Sequence, residues 1–236
     1  MTLIVSHMNA LKIRRAVMAG GVAVVLAAST LGAYGYLKPT AAQSAPIESV
    51  VQTAFASTES VYTIQAQQSA ATFTVDEVLR GAPYTVVGTT NQVSGQFYFD
   101  ATDPSTAQLG PIVVNARTLQ TDDSSRNRAL NNLILSTDEY EYITFTPSQL
   151  SGLPTTIEDG KPFTFQATGD LSIKGVIRPA TFDVTVVPTA DGRLEGTATT
   201  TIQYADWGVA IPSVPFVASV DNQVAVQLDF AATTTA

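Results

Sequence analysis

The chain has 236 residues, 12 basic against 20 acidic, no cysteine and a net charge of −8. Without cysteine there are no disulfides, thiolate nucleophiles or Cys-bound metals, and the single histidine, His7, sits in the N-terminal tail, so the chain beyond it lacks an imidazole base, a His metal ligand and any Ser–His pair. Four of the basic residues precede Pro39 and every acidic residue follows Ile47, which leaves 8 against 20, a balance of −12 that disfavours nucleic acid and anionic headgroups as partners.

In chain order, residues 1–15 form a basic tail carrying Lys12, Arg14 and Arg15. Residues 16–37 run without a charge; as a helix they would span about 33 Å against a hydrocarbon core of roughly 30 Å. The basic residues before this stretch place the tail in the cytoplasm and the remainder outside, as a single-pass membrane protein with an extracytoplasmic C-terminal domain. The rival, a cleaved signal peptide, fits less well because its apolar core would normally be about 7–15 residues long. Residues 38–60 are rich in Ala, Ser, Thr and Gln and read as a tether, with a helical turn around Ile47 to Phe55.

Residues 61–232 read as one domain. Ala71-Thr72-Phe73-Thr74-Val75 alternates, and Val93, Gly95, Phe97 and Phe99 share one face of the next strand. In Ile112 to Arg117, Ile112, Val114 and Ala116 face one way, Asn115 and Arg117 the other. The pattern then changes: Thr121-Asp122-Asp123-Ser124 supplies N-cap residues, and Leu130, Leu133 and Ile134 make one apolar stripe on a helix from Ser125 to Leu135. Alternation returns at Ile143-Thr144-Phe145-Thr146, over Phe163 to Ile173, at Phe182, Val184 and Val186, over Leu194 to Tyr204, and finally at Val224, Val226, Leu228 and Phe230. The last six residues read as a fraying tail, residues 233–236 lying outside the domain. About eight antiparallel strands with one wet and one apolar face must close into a barrel or pack as a sandwich.

The order of several blocks resembles the YceI-like family of bacterial lipid-binding proteins. They are Thr118-Leu119 with Thr121-Asp122, Ser125-Arg126 with Arg128, Ile143-Thr144-Phe145, Gly169 to Val176, Arg178-Pro179-Ala180-Thr181-Phe182 and Ala205-Asp206-Trp207-Gly208. Asn127, Tyr142 and Ile177 depart from the family pattern, which has Asp, Pro and Thr or Ser there. The resemblance implies an all-β fold: an eight-stranded antiparallel, lipocalin-like barrel with one short helix, here preceded by the N-terminal transmembrane helix. It further implies an elongated isoprenoid-type lipid as the partner, held in the interior. With neither histidine nor cysteine in the domain, no catalysis, cofactor or metal is expected.

The expected lining is Phe73, Phe97, Phe99, Val114, Leu130, Leu133, Phe145, Phe165, Leu171, Phe182 and Trp207, with Asn115, Arg117 and Tyr140 as candidate mouth residues. Gly95, Ala167 and Gly169 either leave room for a ligand or serve strand bending. Asp122-Asp123 with Asp138-Glu139 offers oxygen ligands, but a helix cap accounts for them better. Asp76-Glu77 and Glu158-Asp159 share no motif that would make them an acid–base pair. The alternative function is the same barrel packed solid, as a structural or interaction module. Whether the chain forms a homodimer is open at this level.

Overall fold

The computed structural model describes Ile47, Phe55 and residues 61–234. The expected membrane-spanning stretch, residues 16–37, and most of the tether lie outside the described residues; among those described, no helix is long and apolar enough to cross a membrane.

Among the described residues, thirteen strands form one antiparallel sheet. They are β1 (Val61–Ile64), β2 (Ala70–Leu79), β3 (Ala82–Thr90), β4 (Val93–Ser94), β5 (Gln96–Tyr98), β6 (Gln108–Leu109), β7 (Ile112–Asn115), β8 (Tyr142–Ser151), β9 (Phe163–Ile173), β10 (Val176–Pro188), β11 (Leu194–Gln203), β12 (Val217–Val220) and β13 (Gln223–Thr234). Joined across their breaks, they make the eight staves of a closed barrel: β1 with β2, β3 with β4 and β5, β6 with β7, then β8, β9, β10, β11 and β13. β13 closes the ring by pairing with β11 on one side and with β2 and β1 on the other. β12 is an addition along the far half of β2.

The breaks have local causes. A 3-10 turn at Ala66–Gln68 splits the first stave, and Ser69 Oγ donates to Gln65 O at 2.9 Å across it. Two hairpins, Arg80-Gly81 and Lys174-Gly175, have both central residues at positive φ, as two-residue turns matched to strand twist require. In β9, Ala167, Gly169, Leu171 and Ile173 are buried while Thr164, Gln166 and Asp170 are exposed, so the period-2 reading of this strand holds.

Two expectations change. The chain end is not frayed through its last six residues: Ala231 and Ala232 are buried, and β13 runs to Thr234 because β1 pairs with it. Nor is the outer side of β7 wet: Val113 is buried beneath Ile47 and Tyr142, and Asn115 is 1% exposed.

The helix is shorter than its apolar stripe suggested. α1 (Ser124–Ala129) is capped by Asp123, whose Oδ1 accepts from Ser125 N at 2.7 Å and Arg126 N at 2.8 Å. Leu130–Ile134 then forms one wide π-type turn, closed by Leu135 N donating to Leu130 O at 2.8 Å. A turn that closes at i+5 does not bring the residue at i+3 back to the starting face. Leu130, Ile134 and Leu135 therefore face the barrel, and Leu133 does not.

Candidate functional site

The Arg80-Gly81 and Lys174-Gly175 hairpins gather with α1 at one end of the barrel, and that end is hollow. A cavity of about 630 Å³ lies between β2, α1 with its π-type turn, the turn at Tyr204–Trp207 and the segment 209–217. A second, of about 140 Å³, lies deeper. Ala71, Val114, Ile143, Leu171 and Val226 line both, so the two adjoin. Along β9 the inward residues pass from Ile173 at the larger cavity, through the shared Leu171, to Phe165 and Phe163 at the smaller, roughly 33 Å of strand.

The far end is filled by aromatic rings. Phe99 stacks on Phe163 with centroids 5.7 Å apart, Tyr62 on Phe97 at 5.6 Å, and Phe97 meets Phe230 edge-on at 6.1 Å. Phe145 and Phe182 cross at 4.8 Å on the wall of the smaller cavity.

Of the expected lining residues, Phe97, Phe99, Phe145, Phe165 and Phe182 line the smaller cavity, Phe73, Leu130 and Trp207 the larger, and Val114 and Leu171 both. Leu133 lines neither: it is 61% exposed, because the π-type turn carries it off the inward face. The structure also brings in residues the pattern did not nominate. Ile211, Val214 and Phe216 overhang the larger cavity from a segment whose prolines, Pro212 and Pro215, break any periodicity. The signal available was the unbroken absence of charge from Gly208 to Val220.

The glycines hold the wall together rather than widening it. Gly169 lies against the backbone of Thr146 and Pro147, where β8 bulges, and a Cβ would strike main-chain atoms. Gly95 is packed by the Ile112 and Ile64 side chains. Across the β2–β3 pairing, the ring of Phe73 covers Gly88. Trp207 is 4% exposed, with Nε1 donating to Leu171 O at 2.9 Å, and Gly208 at φ +65° ends its turn.

The candidate mouth residues turn out to be braces. Asn115 Nδ2 donates to Glu141 Oε1 at 3.0 Å, and its Oδ1 accepts from Arg117 N at 3.0 Å. Arg117 reaches Thr137 O at 2.9 Å and pairs with Glu141 at 3.6 Å, tying the loop after the π-type turn to β7. Tyr140 rests against Gly175. Lys174 Nζ donates to Ile134 O at 2.9 Å, fastening the end of the same turn.

The charged part of the mouth centres on Arg126. Its Nη1 lies 2.5 Å from Asp122 Oδ1, its Nη2 3.2 Å from Glu77 Oε1, and its guanidinium 5.6 Å from the centre of the Tyr84 ring. Tyr84 hydroxyl donates to Asp122 Oδ2. That hydrogen bond, with Arg126 beside it, holds the Asp122 carboxyl below the usual carboxylate range, and the same bond raises the Tyr84 phenol. Asp123 is also lowered, by the amides of Arg126 and Ser125 that it caps. Asn127, where the family has Asp, accepts from Thr121 N at 2.7 Å and Thr121 Oγ1 at 2.8 Å, so a neutral amide holds the helix entry. Among the described residues, no group of three or more His, Asp or Glu is placed to hold a metal ion.

Comparison with known proteins agrees with this geometry. Residues 62–232 match the model of the YceI-like domain. A UPF0312 protein of Shewanella baltica is 27% identical over 148 residues, 60% of this chain and 73% of that protein. Protein YceI of Shigella flexneri is 27% identical over 105 residues, 44% of this chain and 50% of that protein. Among solved structures, Burkholderia cenocepacia BcnA superposes with a TM-score of 0.58 at 17% identity, covering 72% of this chain and 99% of that one. A polyisoprenoid-binding domain from Saccharophagus degradans, implicated in plant cell wall breakdown, gives 0.56 at 15% identity, covering 74% and 98%. At such identities these two likenesses speak for the fold, and the domain match extends the agreement along nearly the whole barrel: the chain belongs to the YceI-like family.

Proposed function

We propose that this barrel binds an elongated, apolar, isoprenoid-type lipid and carries or stores it outside the cytoplasm, with residues 16–37 as its membrane anchor. The observation that carries this reading is the cavity of about 630 Å³, bounded mostly by aliphatic and aromatic side chains and running on into a second, apolar space. Withdrawing apolar chain from water gains roughly 0.8 kcal/mol per methylene, so a long tail can bind without a charged contact. The description of the Saccharophagus degradans relative as polyisoprenoid-binding points the same way. The role in this reading is binding rather than catalysis. The packed-module alternative has the aromatic-filled far end in its favour but leaves the hollow end unexplained.

The test is native mass spectrometry of the full chain purified in mild detergent, followed by organic extraction. A co-purifying isoprenoid of fixed mass supports the reading. A chain that carries nothing and takes up no added polyprenol overturns it.

A further inference from the structure

The elements around the larger cavity carry apolar side chains on their outer side as well. Resting on the anchored reading above, we infer that the hollow end is a membrane-docking face, whose Leu133, Ile177 and Phe216 enter the surface layer of a zwitterionic bilayer.

Among the described residues, four large apolar side chains are exposed: Val87, Leu133, Ile177 and Phe216. Val87 points outward from β3, and a single exposed residue of that kind is ordinary on any surface. The other three stand on different elements around one opening. Leu133 is on the π-type turn, Ile177 follows the Lys174-Gly175 hairpin at the start of β10, and Phe216 directly precedes β12. These elements are fastened to the same end of the barrel. Lys174 Nζ holds Ile134 O at 2.9 Å, Arg178 Nε donates to Asp206 O at 3.1 Å, and Arg80 N donates to Phe216 O at 2.7 Å. Leu133 and Ile177 are 61% exposed and Phe216 54%, so each has apolar surface left to withdraw from water.

The chain's own connection says what covers this rim. Ile47 is fully buried against Val113 and Tyr142. Tyr142 is the first residue of β8, which enters from the loop after the π-type turn, so the pin lies toward the hollow end. Ile47 stands ten positions after Leu37, the last residue of the charge-free stretch, a reach of at most about 36 Å. The aromatic-filled end lies about a strand length, roughly 33 Å, farther along the wall. A bilayer holding residues 16–37 is therefore met most readily by the hollow end. A tether this short also gives a local concentration on the order of millimolar, enough for a contact of three side chains. Charge does not drive the contact: the exposed Arg80, Arg128 and Arg178 are outnumbered by the exposed Asp122, Asp138, Glu139 and Asp206.

The experiment uses the full chain, which has no cysteine of its own. Leu133→Cys, Ile177→Cys and Phe216→Cys place single thiols on the rim, and Ala190→Cys places one at the exposed β10–β11 hairpin of the far end. Each is labelled with bimane and reconstituted into phosphatidylcholine vesicles, with or without phosphatidylcholine that carries a nitroxide near the glycerol end of its acyl chain. The nitroxide should quench the three rim labels twofold or more and leave the label at position 190 unchanged. Adding Ile177→Glu and Phe216→Glu to the Leu133→Cys chain should remove at least half of its quenching, because an ionised carboxylate resists leaving water. Vesicle-bound chain whose rim labels stay as bright as the one at position 190, or whose four labels are quenched alike, overturns the inference and leaves the anchor reading intact. So do rim labels shielded from water yet unquenched, which would assign the rim to a second copy, and quenching that survives both glutamates in full. A chain that does not float with the vesicles overturns the anchor reading, and the inference with it.

Discussion

Gly169 shows how a single missing side chain sets the barrel's shape. Main chain from β8 occupies the space a Cβ would need, and main chain cannot step aside as a side-chain tip can. Gly169→Ala should therefore cost about 3 kcal/mol in urea unfolding, near the upper end for overpacking. Gly88 is the contrasting case, because its obstacle is the ring of Phe73, free to swing into the larger cavity. Gly88→Ala should cost less than about 1.5 kcal/mol, since the ring has room to move. It should weaken polyprenol uptake several-fold, because the displaced ring takes the ligand's place. An alanine at 88 that leaves uptake unchanged would show that the ring does not border the bound lipid.

At the level of elements, α1 with its π-type turn forms one lid of the cavity, and the segment from Gly208 to β12 forms the other. The second is anchored by Arg80 N donating to Phe216 O at 2.7 Å and Asp221 N to Asp76 O at 2.8 Å. The first depends on two ionised carboxylates, Asp122 and Asp123, both held below the ordinary carboxylate range. A group whose pKa is lower in the folded state adds stability above its unfolded pKa and loses it as pH falls through the folded value. With an unfolded value near 3.9, the loss falls below about pH 4. Hydrogen exchange should show the amides of Ser125 and Arg126 losing protection in that window, while the β9–β10 amides stay protected. Equal loss in both would mean that the lid does not open separately from the barrel.

For the whole molecule, stability and occupancy are linked, because a ligand that binds only the folded barrel stabilises it. At a free ligand concentration of 100 times Kd the gain is about 2.7 kcal/mol, visible as a raised Tm in a thermal melt with geranylgeraniol. Val114→Phe, placed where the two cavities meet, should reduce that gain by at least half while changing the ligand-free barrel by about 1–3 kcal/mol. If the gain persists in full, the lipid does not pass the junction and stays in the outer cavity.

Alternation of side chains along the staves was legible in the sequence because a strand's period of two depends on nothing outside the strand. That local rule determined the all-β class, the inward aromatics from Phe73 to Phe182 and, with the N-cap preference, the helix start at the Asp122-Asp123 pair. It did not reach Leu133, whose direction follows from a π-type turn set by how Leu130 and Leu135 pack onto the barrel. Nor did it reach Asn115, which reads as a wet-face residue until Glu141 and Arg117 are brought to it by the fold. The segment from Ile211 to Phe216 has no period at all, and becomes part of the cavity only because β12 returns along β2. Whether the interior is hollow could not follow from the pattern either. The volume left inside is a small difference between the space the staves enclose and the side chains that fill it, and that difference exists only once rings far apart in the chain, such as Phe97 and Phe230, have been packed together.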